Sequence, residues 1–362
     1  MDFTPTEDRR MIGDSLRRYL AEQYPIEHRN KVAYEGVFHD PAKWAELAEL
    51  GILGALVSED DGGFGGAGFD ITTVFEEMGR AICPEPMLGN LMALRLYAAH
   101  GQAERIEAII AGAEKAAFAF DESDAFGDLD EIAVKAEGDT LTGRKTVVYG
   151  GNSADYLLIA AKSASGALGL YEVTASDAEV LPYAMIDGAG AAEVILDKTR
   201  ARCLADDARA AIEAALDAGR VALCAEAVGA MDVLKVMTKD YLMQRQQFGR
   251  PIALFQALQH RLVDFSIEIE QARSITIHAA AKLDADDPKA RALAVAQAKN
   301  LIGRAGKLVA EEAVQMHGGI GMTWEYAGSH YSKRLIMIDH QLGDTEDQLR
   351  TAMSLSDISE PA

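Results

Sequence analysis

The sequence contains few cysteines, little positive charge and no long apolar run. Its three cysteines, Cys83, Cys203 and Cys224, are scattered and lack the spacing of a zinc site, so neither a disulfide framework nor a bound metal is predicted. The reduced cytoplasm is therefore the expected compartment. No apolar stretch approaches the roughly 20 residues that span a bilayer, and the acidic N-terminal segment lacks the apolar core of a signal peptide. Neither export nor insertion into a membrane is predicted.

The charge balance is strongly acidic. Lysine and arginine number 35 against 57 aspartates and glutamates, which gives a formal net charge of -22 over 362 residues. A surface this acidic repels nucleic acid and anionic lipid, so the sequence predicts no partner of either class. Hydrophobic residues make up 49% of the chain. A chain of this length and composition can build globular cores in about two or three domains.

Three stretches of different periodicity divide the chain. Residues 1–114 place apolar residues three and four apart between charges, which predicts an N-terminal α-helical domain. Residues 115–205 carry short β-branched and aromatic runs between turn residues, the spacing of a small antiparallel barrel or sandwich. Residues 206–362 include long proline-free stretches rich in Ala, Leu, Glu and Gln, which suit a four-helix bundle. The expected fold class is therefore multi-domain α+β.

Two glycine clusters suggest familiar motifs that the context excludes. Neither the cluster at 61–66 nor the one at 317–321 follows a predicted strand and opens a helix, so a Rossmann fingerprint and a P-loop are both excluded. The His-Gly-Gly of residues 317–319 is typical of an esterase oxyanion loop. However, the chain contains no G-x-S-x-G elbow to supply a nucleophile, and a hydrolase is therefore excluded.

The segment 245–251 reads Arg-Gln-Gln-Phe-Gly-Arg-Pro and is followed by Gln256. A helix that ends near Gly249, a corner at the proline and a second helix would direct Arg245 and Gln256 at one surface. That surface would suit an anionic pyrophosphate. The alternative is a solvated helix end with a salt-bridged arginine, because helix C-termini favour cations.

Five segments, in this order, resemble the flavin-dependent acyl-CoA dehydrogenase family over nearly the whole chain. They are residues 50–80, 141–155, 245–256, 312–326 and 334–350. The resemblance implies the three-part fold predicted above, with FAD as cofactor and an acyl-CoA thioester as substrate. It also implies a homo-oligomer, or a hetero-oligomer with a paralogous acyl-CoA dehydrogenase subunit, and an electron-transfer flavoprotein as electron acceptor.

The resemblance also implies a set of cofactor-binding residues. In this family an arginine, a phenylalanine and a following glutamine hold the pyrophosphate and adenosine of FAD, often across a subunit interface. A second segment contacts the adenosine end, and a threonine lies near the flavin. The corresponding residues here are Arg245, Phe248, Gln256, Gln315, Gly318, Gly319 and Thr345.

The sequence departs from the family where the catalytic base is expected. Gly343 stands where most members carry the catalytic glutamate, and Gly219 stands where another branch carries it. Asp344, the nearest acid in sequence, is the candidate base, although an acidic solvated turn is the alternative interpretation. The flavin-facing aromatic and threonine of the family are replaced by Val147 and Tyr149.

Three functions remain open at this point. The chain could be an acyl-CoA dehydrogenase with an unorthodox base, active as a homo-oligomer. It could instead be a non-catalytic companion subunit that completes the FAD pocket of a glutamate-bearing paralogue, as in mixed-subunit relatives that act on bulky acyl-CoA esters. A flavin monooxygenase or oxidase on the same fold is the third. Retained residues at the adenosine end and altered ones at the flavin favour the companion.

Overall fold

The computed structural model describes residues 6–36 and 38–356, and helices dominate this part of the chain. The α-helices within it are α1 (Glu7–Gln23), α2 (Ile26–Tyr34), α3 (Pro41–Glu49), α4 (Gly68–Ala81), α5 (Met87–Ala99), α6 (Ala103–Ile110), α7 (Arg209–Gln244), α8 (Gln256–Leu283), α9 (Pro288–His317), α10 (Ala327–His340) and α11 (Thr345–Leu355).

The strands fall between α6 and α7, except for one short hairpin after α7. They are β1 (Ala116–Ala119), β2 (Lys135–Glu137), β3 (Thr140–Tyr149), β4 (Tyr156–Lys162), β5 (Leu168–Thr174), β6 (Glu179–Ala184), β7 (Gly190–Arg200), β8 (Arg202–Ala205), β9 (Gln246–Gln247) and β10 (Arg250–Pro251). The change from helices to strands and back confirms the predicted fold class. The domain bounds at residues 114 and 205 stay a prediction.

The described chain separates into two compact units. The sheet unit comprises Glu27–Asp70 and Pro84–Gly219, and the helical unit comprises Met1–Ile26, Ile71–Cys83 and Arg220–Ala362. The helical unit therefore gathers α1 and α4 from the first third of the chain with the helices of the last third.

The sheet unit is built on one eight-stranded sheet with the order β6-β7-β3-β2-β4-β5-β8, and β1 pairs with β4 off this path. Most neighbours are antiparallel, as predicted, but β1 and β2 both run parallel to β4. Parallel neighbours need a long connection, and residues 120–155 supply one between β1 and β4. The sheet is therefore mixed.

Helix α5 packs against β1 and is apolar on nearly every side. Ten of its residues, from Met87 to Tyr97, are buried, which is typical of a helix surrounded by protein. Its one buried amide, on Asn90, donates to the carbonyl oxygen of Pro86 at 2.8 Å and accepts from the backbone of Ala116 at 2.9 Å. The sequence can therefore bury this polar group because both of its hydrogen-bonding functions are used.

In the helical unit, α4 and α7 cross at two glycines. A Cβ added at Gly79 would collide with the backbone of Glu226, and one added at Gly229 would collide with the backbone of Glu76. The two helices therefore touch backbone to backbone, which only glycine permits at this separation.

A buried ion pair joins α7 to α10. The guanidinium of Arg334 donates to both carboxylate oxygens of Glu226 at 2.6 Å, and it also donates to the side-chain oxygen of Gln341 at 2.7 Å. This bidentate geometry offsets much of the cost of burying two charges.

No helix within residues 6–36 and 38–356 is long and apolar enough to cross a membrane.

Candidate cofactor site and the catalytic-base segment

The segment that follows α7 is a β-hairpin. Helix α7 ends at Gln244, and β9 pairs antiparallel with β10 around a two-residue turn in which Phe248 has φ 56° and Gly249 has φ 75°. Two consecutive positive φ angles are typical of a type I′ turn, which matches the twist of a hairpin. The prediction of a helix that continues to near Gly249 was therefore wrong. The carbonyl oxygen of Arg245 closes the hairpin by accepting from Ile252 at 2.8 Å.

The hairpin presents the predicted cofactor residues to solvent. Phe248 is 91% exposed at the turn, and Arg245 and Gln256 are exposed beside it. Among the described residues, no carboxylate forms an ion pair with the Arg245 guanidinium. An arginine without an ion pair and an exposed phenyl ring, which meets only the edge of the Phe255 ring among the aromatic contacts described, suit an anionic ligand that also carries an aromatic group.

The second group of predicted residues lies at the C-terminal end of α9. Gln315, Gly318 and Gly319 are exposed, and a Cβ added at either glycine would meet no atom within 4 Å. Gly318 has φ 66°, a conformation that favours glycine. The space beside these glycines is therefore open, so that a ligand or a partner chain can approach their backbone.

Two contacts bring this end of α9 next to the hairpin. Arg261, near the start of α8, forms an ion pair with Glu312 of α9 at 2.9 Å. The ring of Tyr241, near the end of α7, stacks on the ring of His317 with centroids 4.5 Å apart. The ends of α7 and α9 and the start of α8 thus converge. Their exposed arginine, aromatic ring, amides and glycines fit the adenosine and pyrophosphate of a dinucleotide such as FAD.

The segment where the family carries its catalytic glutamate is a tight loop between α10 and α11. Leu342 has φ 57° and Gly343 has φ 93°. Lys299 of α9 donates to the carbonyl oxygens of Asp339 at 2.8 Å and Gly343 at 3.0 Å, while Arg220 of α7 donates to that of Leu342 at 2.9 Å. Two cationic side chains therefore fix three carbonyl groups, one in the last turn of α10 and two in the loop.

Lys299 is fully buried, and burial lowers its pKa from an ordinary 10.5 to about 8. No motif in the sequence marks this residue as functional. In the sequence it is one of several cations of α9, and it lies close to Ala296, Ala298 and Ile302, which are also buried. The other base position, Gly219, is buried in α7 immediately before Arg220.

Asp344 is the N-cap of α11. Its carboxylate accepts hydrogen bonds from the backbone N–H groups of Glu346 and Asp347, both at 2.9 Å, and the Asp347 carboxylate accepts from the Asp344 N–H in return. The hydrogen bonds from Asp347 and Glu346 hold the pKa of Asp344 below its ordinary value. The candidate base is thus occupied as a helix cap and is a weak proton acceptor in this arrangement.

Thr345 starts α11 and is held by the same loop. Its hydroxyl donates to the carboxylate of Asp339 at 2.7 Å, and its backbone N–H donates to the same oxygen at 3.1 Å. The side-chain amide of Asn300, next to Lys299 on α9, donates to the Thr345 carbonyl at 2.9 Å. The loop from 339 to 345 is therefore closed by hydrogen bonds within the helical unit.

The two altered flavin-side positions lie on β3 in the sheet unit. The pairing of β3 with β7 is irregular between Lys145 and Val148, and Val147 has φ 48°. A β-branched residue rarely adopts a positive φ, so the strand is strained at this point. Tyr149 lies at the buried end of the same strand. The strand is thus distorted at or next to the two positions that the resemblance predicts beside the flavin.

Comparisons with known proteins support the same family. A model described as "Acyl-CoA dehydrogenase, N-terminal domain" matches residues 6–113, and one described as "Acyl-CoA dehydrogenase, C-terminal domain" matches residues 208–352. The acyl-CoA dehydrogenase IpdE2 of Mycolicibacterium smegmatis is 29% identical over 348 residues, which cover 95% of this chain and 97% of the relative.

Two solved structures are similar over almost their full length. One is the Tcur3481-Tcur3483 steroid ACAD, with 28% identity, a TM-score of 0.89 and coverage of 96% of this chain and 97% of that one. The other is the ChsE4-ChsE5 complex of Mycobacterium tuberculosis, with 25% identity, a TM-score of 0.88 and full coverage of both chains.

Proposed function

Since the chain belongs to the acyl-CoA dehydrogenase family, we propose that it acts in the α,β-dehydrogenation of an acyl-CoA thioester as a companion subunit. In this role it binds FAD through its adenosine-end residues, and a paralogous subunit carries the catalytic glutamate. The observation that carries the proposal is the loop at 339–345, where Gly343 replaces that glutamate and the adjacent Asp344 is used as a helix cap.

The chemistry explains why this loop decides the role of the chain. Removal of the α-proton needs a base within about 3 Å of that proton, or one water away. When FAD is bound, it accepts the hydride that leaves the β-carbon. Gly343 has no side chain, and its φ of 93° means that a glutamate at this position would be strained, while its added Cβ would also displace the side-chain amide of Gln348. The loop is therefore more than one substitution away from the usual arrangement.

The adenosine-end residues support a cofactor role for the same chain. Arg245 offers a fork of donors for the pyrophosphate, Phe248 offers an aromatic face, and Gly318 and Gly319 allow close approach of a ligand. All four are exposed and converge at one end of the helical unit. Such a half-site suits a cofactor that is shared with a second subunit.

Two similar structures support a mixed assembly. The Tcur3481-Tcur3483 steroid ACAD and the ChsE4-ChsE5 complex each combine two named polypeptides. By analogy, we propose a hetero-oligomer here, with a bulky acyl-CoA, such as a steroid-derived thioester, as the substrate class. An electron-transfer flavoprotein is the proposed acceptor of the assembled enzyme.

Co-expression with paralogues encoded near its gene tests the assembly. We expect the chain to co-purify with a glutamate-bearing paralogue in a fixed ratio, measured by mass spectrometry of the intact complex together with flavin absorbance. A homo-oligomer that binds FAD at one per chain and captures no such paralogue would contradict the companion role.

Arg245→Ala tests the cofactor contact. Loss of a charge-assisted contact to the pyrophosphate should cost about 1.5–3 kcal/mol of FAD binding, measured by flavin fluorescence titration. The matched control is Arg209→Ala, since Arg209 is an exposed arginine at the other end of α7 that pairs with Asp130 and Glu213. Equal FAD affinity in both variants would contradict the assigned role of Arg245.

A further inference from the structure

We propose that His317 is a positioning residue that holds the two halves of the adenosine-end site together through Tyr326 and Tyr241. The inference rests on the proposed FAD contacts of Arg245, Gly318 and Gly319. It adds a residue that acts through other residues: in this proposal, the hydrogen bonds of His317 set the geometry of the groups that contact the cofactor.

His317 is the last residue of α9, and both of its ring nitrogens have partners. The Nδ1 atom lies 2.7 Å from the carbonyl oxygen of Ala313, and the Nε2 atom lies 2.5 Å from the hydroxyl oxygen of Tyr326. A carbonyl oxygen can only accept, so Nδ1 carries the proton and donates. The other nitrogen, Nε2, then accepts the hydroxyl proton of Tyr326. This arrangement uses the neutral imidazole.

The imidazole is also packed between two aromatic rings. The Tyr241 ring stacks on it at 4.5 Å with an angle of 30°, and the Tyr326 ring is tilted against it at 4.6 Å. His317 is 4% exposed. Burial lowers the pKa of His317 and raises that of Tyr326 to about 12, so both side chains keep the neutral forms that this hydrogen bond requires.

The same ring reaches both halves of the proposed site. On one side, the carbonyl oxygen of Tyr241 accepts the backbone N–H of Arg245 at 2.8 Å, which fixes the start of the hairpin. On the other side, Gly318 follows His317 directly, and a Cβ added at Gly321 would lie 3.0 Å from the His317 Cβ. The imidazole is therefore stacked on the last turn of α7, which Arg245 follows, and it belongs to the residue that precedes the glycine turn.

Tyr326→Phe tests the inference because it keeps the ring and removes only the hydroxyl that His317 accepts. Tyr331→Phe is the matched control, since the Tyr331 hydroxyl donates a bond of 2.6 Å to the Arg80 carbonyl oxygen, away from the proposed site. We expect Tyr326→Phe to weaken binding of both FAD and ADP about tenfold. Tyr331→Phe should change either affinity less than twofold, although both variants lose one part-buried hydrogen bond from a tyrosine hydroxyl.

The measurements are fluorescence titration with FAD and calorimetric titration with ADP, on the oligomer as purified and well below its thermal midpoint. Arg245→Ala is the reference variant. If Arg245→Ala binds weakly and Tyr326→Phe binds normally, the positioning role is wrong and the proposed cofactor site stands. If Tyr331→Phe loses affinity as much as Tyr326→Phe, general loosening replaces positioning. If neither FAD nor ADP binding responds to Arg245→Ala, the proposed cofactor site itself is wrong.

Discussion

The assignment of Asp344 as a helix cap can be tested by comparing two substitutions, one that keeps the cap and one that removes it. Asparagine caps helices about as well as aspartate, whereas alanine does not. We expect Asp344→Ala to lower the free energy of unfolding by about 0.5–2 kcal/mol at pH 7 and Asp344→Asn to lower it much less. Urea denaturation measures both values, and Asp264→Asn, at an exposed position on α8, is the control. If Asp344→Asn unfolded as easily as Asp344→Ala, the cap assignment would fail.

The charged part of this cap depends on pH in a defined direction. The pKa of Asp344 lies below its ordinary value of 3.8 in the folded protein. Its stabilisation is therefore fully present above that ordinary value and is lost as the pH falls through the lower, folded-state value. The difference between the protein and Asp344→Ala should shrink over that acidic range.

Lys299 predicts a dependence of stability on pH in the alkaline range. Its pKa is about 8 in the folded protein against an ordinary 10.5, so between these values the unfolded chain holds a proton that the folded chain has released. Stability then rises with pH across this window. We expect the free energy of unfolding, relative to Lys299→Met, to increase by up to about 3 kcal/mol from pH 8 to pH 10.5. Urea denaturation at the two pH values would contradict this if the difference stayed flat or fell.

The close crossing of α4 and α7 predicts that larger residues at its two glycines destabilise the protein. Gly79→Ala and Gly229→Ala would each force a methyl group into the backbone of the facing helix. Each should destabilise the protein by about 1–3 kcal/mol or more, because neither backbone can move independently. Gly306→Ala on α9 is the control, because its added Cβ would meet its nearest neighbours at 3.7–3.8 Å, ordinary contact distances. Thermal unfolding that ranked Gly306→Ala as the worst of the three would contradict the close crossing.

Some helices and strands could be predicted from local sequence patterns, and others could not. The proline-free stretches of residues 206–362 predicted long helices such as α7 and α8, and the β-branched and aromatic runs of residues 115–205 predicted strands such as β3. Strand β6 does not show such a pattern, because it is mostly exposed and contains Pro182, as edge strands allow. The hairpin after α7 was mistaken for a helix end because Phe-Gly is not a usual type I′ pair. The parallel pairing of β1 and β2 with β4 depends on contacts between distant segments, which local patterns do not encode.

Some residues of the candidate site could be predicted from the sequence, and others are recognised only in the structure. The family motif located Arg245, Gln315 and the glycines, and the structure gathers them at one end of the helical unit. The motif could not show that Asp344 is a helix cap, since capping depends on where α11 begins. The parts that we assign to Lys299 and His317 depend on contacts with distant segments, such as the Gly343 carbonyl oxygen and the Tyr241 ring, which a local motif does not encode.

The exposed apolar surface of the helical unit predicts association. On α8, Val263 is 56% exposed and Ile267 is 51% exposed. Both line a groove of about 700 Å³ that continues to Ile275 and to Leu301 of α9. Apolar surface of this kind is buried in oligomers. We expect light scattering at micromolar concentration to give at least a dimer.

A charged substitution tests which surface is used. Ile267→Asp should shift the protein to a smaller species, because it would bury an unpaired charge. Leu181→Asp is the control, since Leu181 is also exposed, at 42%, but lies on β6 of the sheet unit. A monodisperse monomer before any substitution would contradict the prediction.

The companion role is tested most directly by the colour of the flavin. The purified chain, loaded with FAD and mixed anaerobically with straight-chain and steroid-derived acyl-CoA thioesters, should keep its flavin oxidised, because Gly343 supplies no base. Addition of a glutamate-bearing paralogue should then bleach the flavin absorbance, with or without Asp344→Asn. Rapid bleaching by the chain alone that disappears in Asp344→Asn would contradict the companion role and make Asp344 the catalytic base.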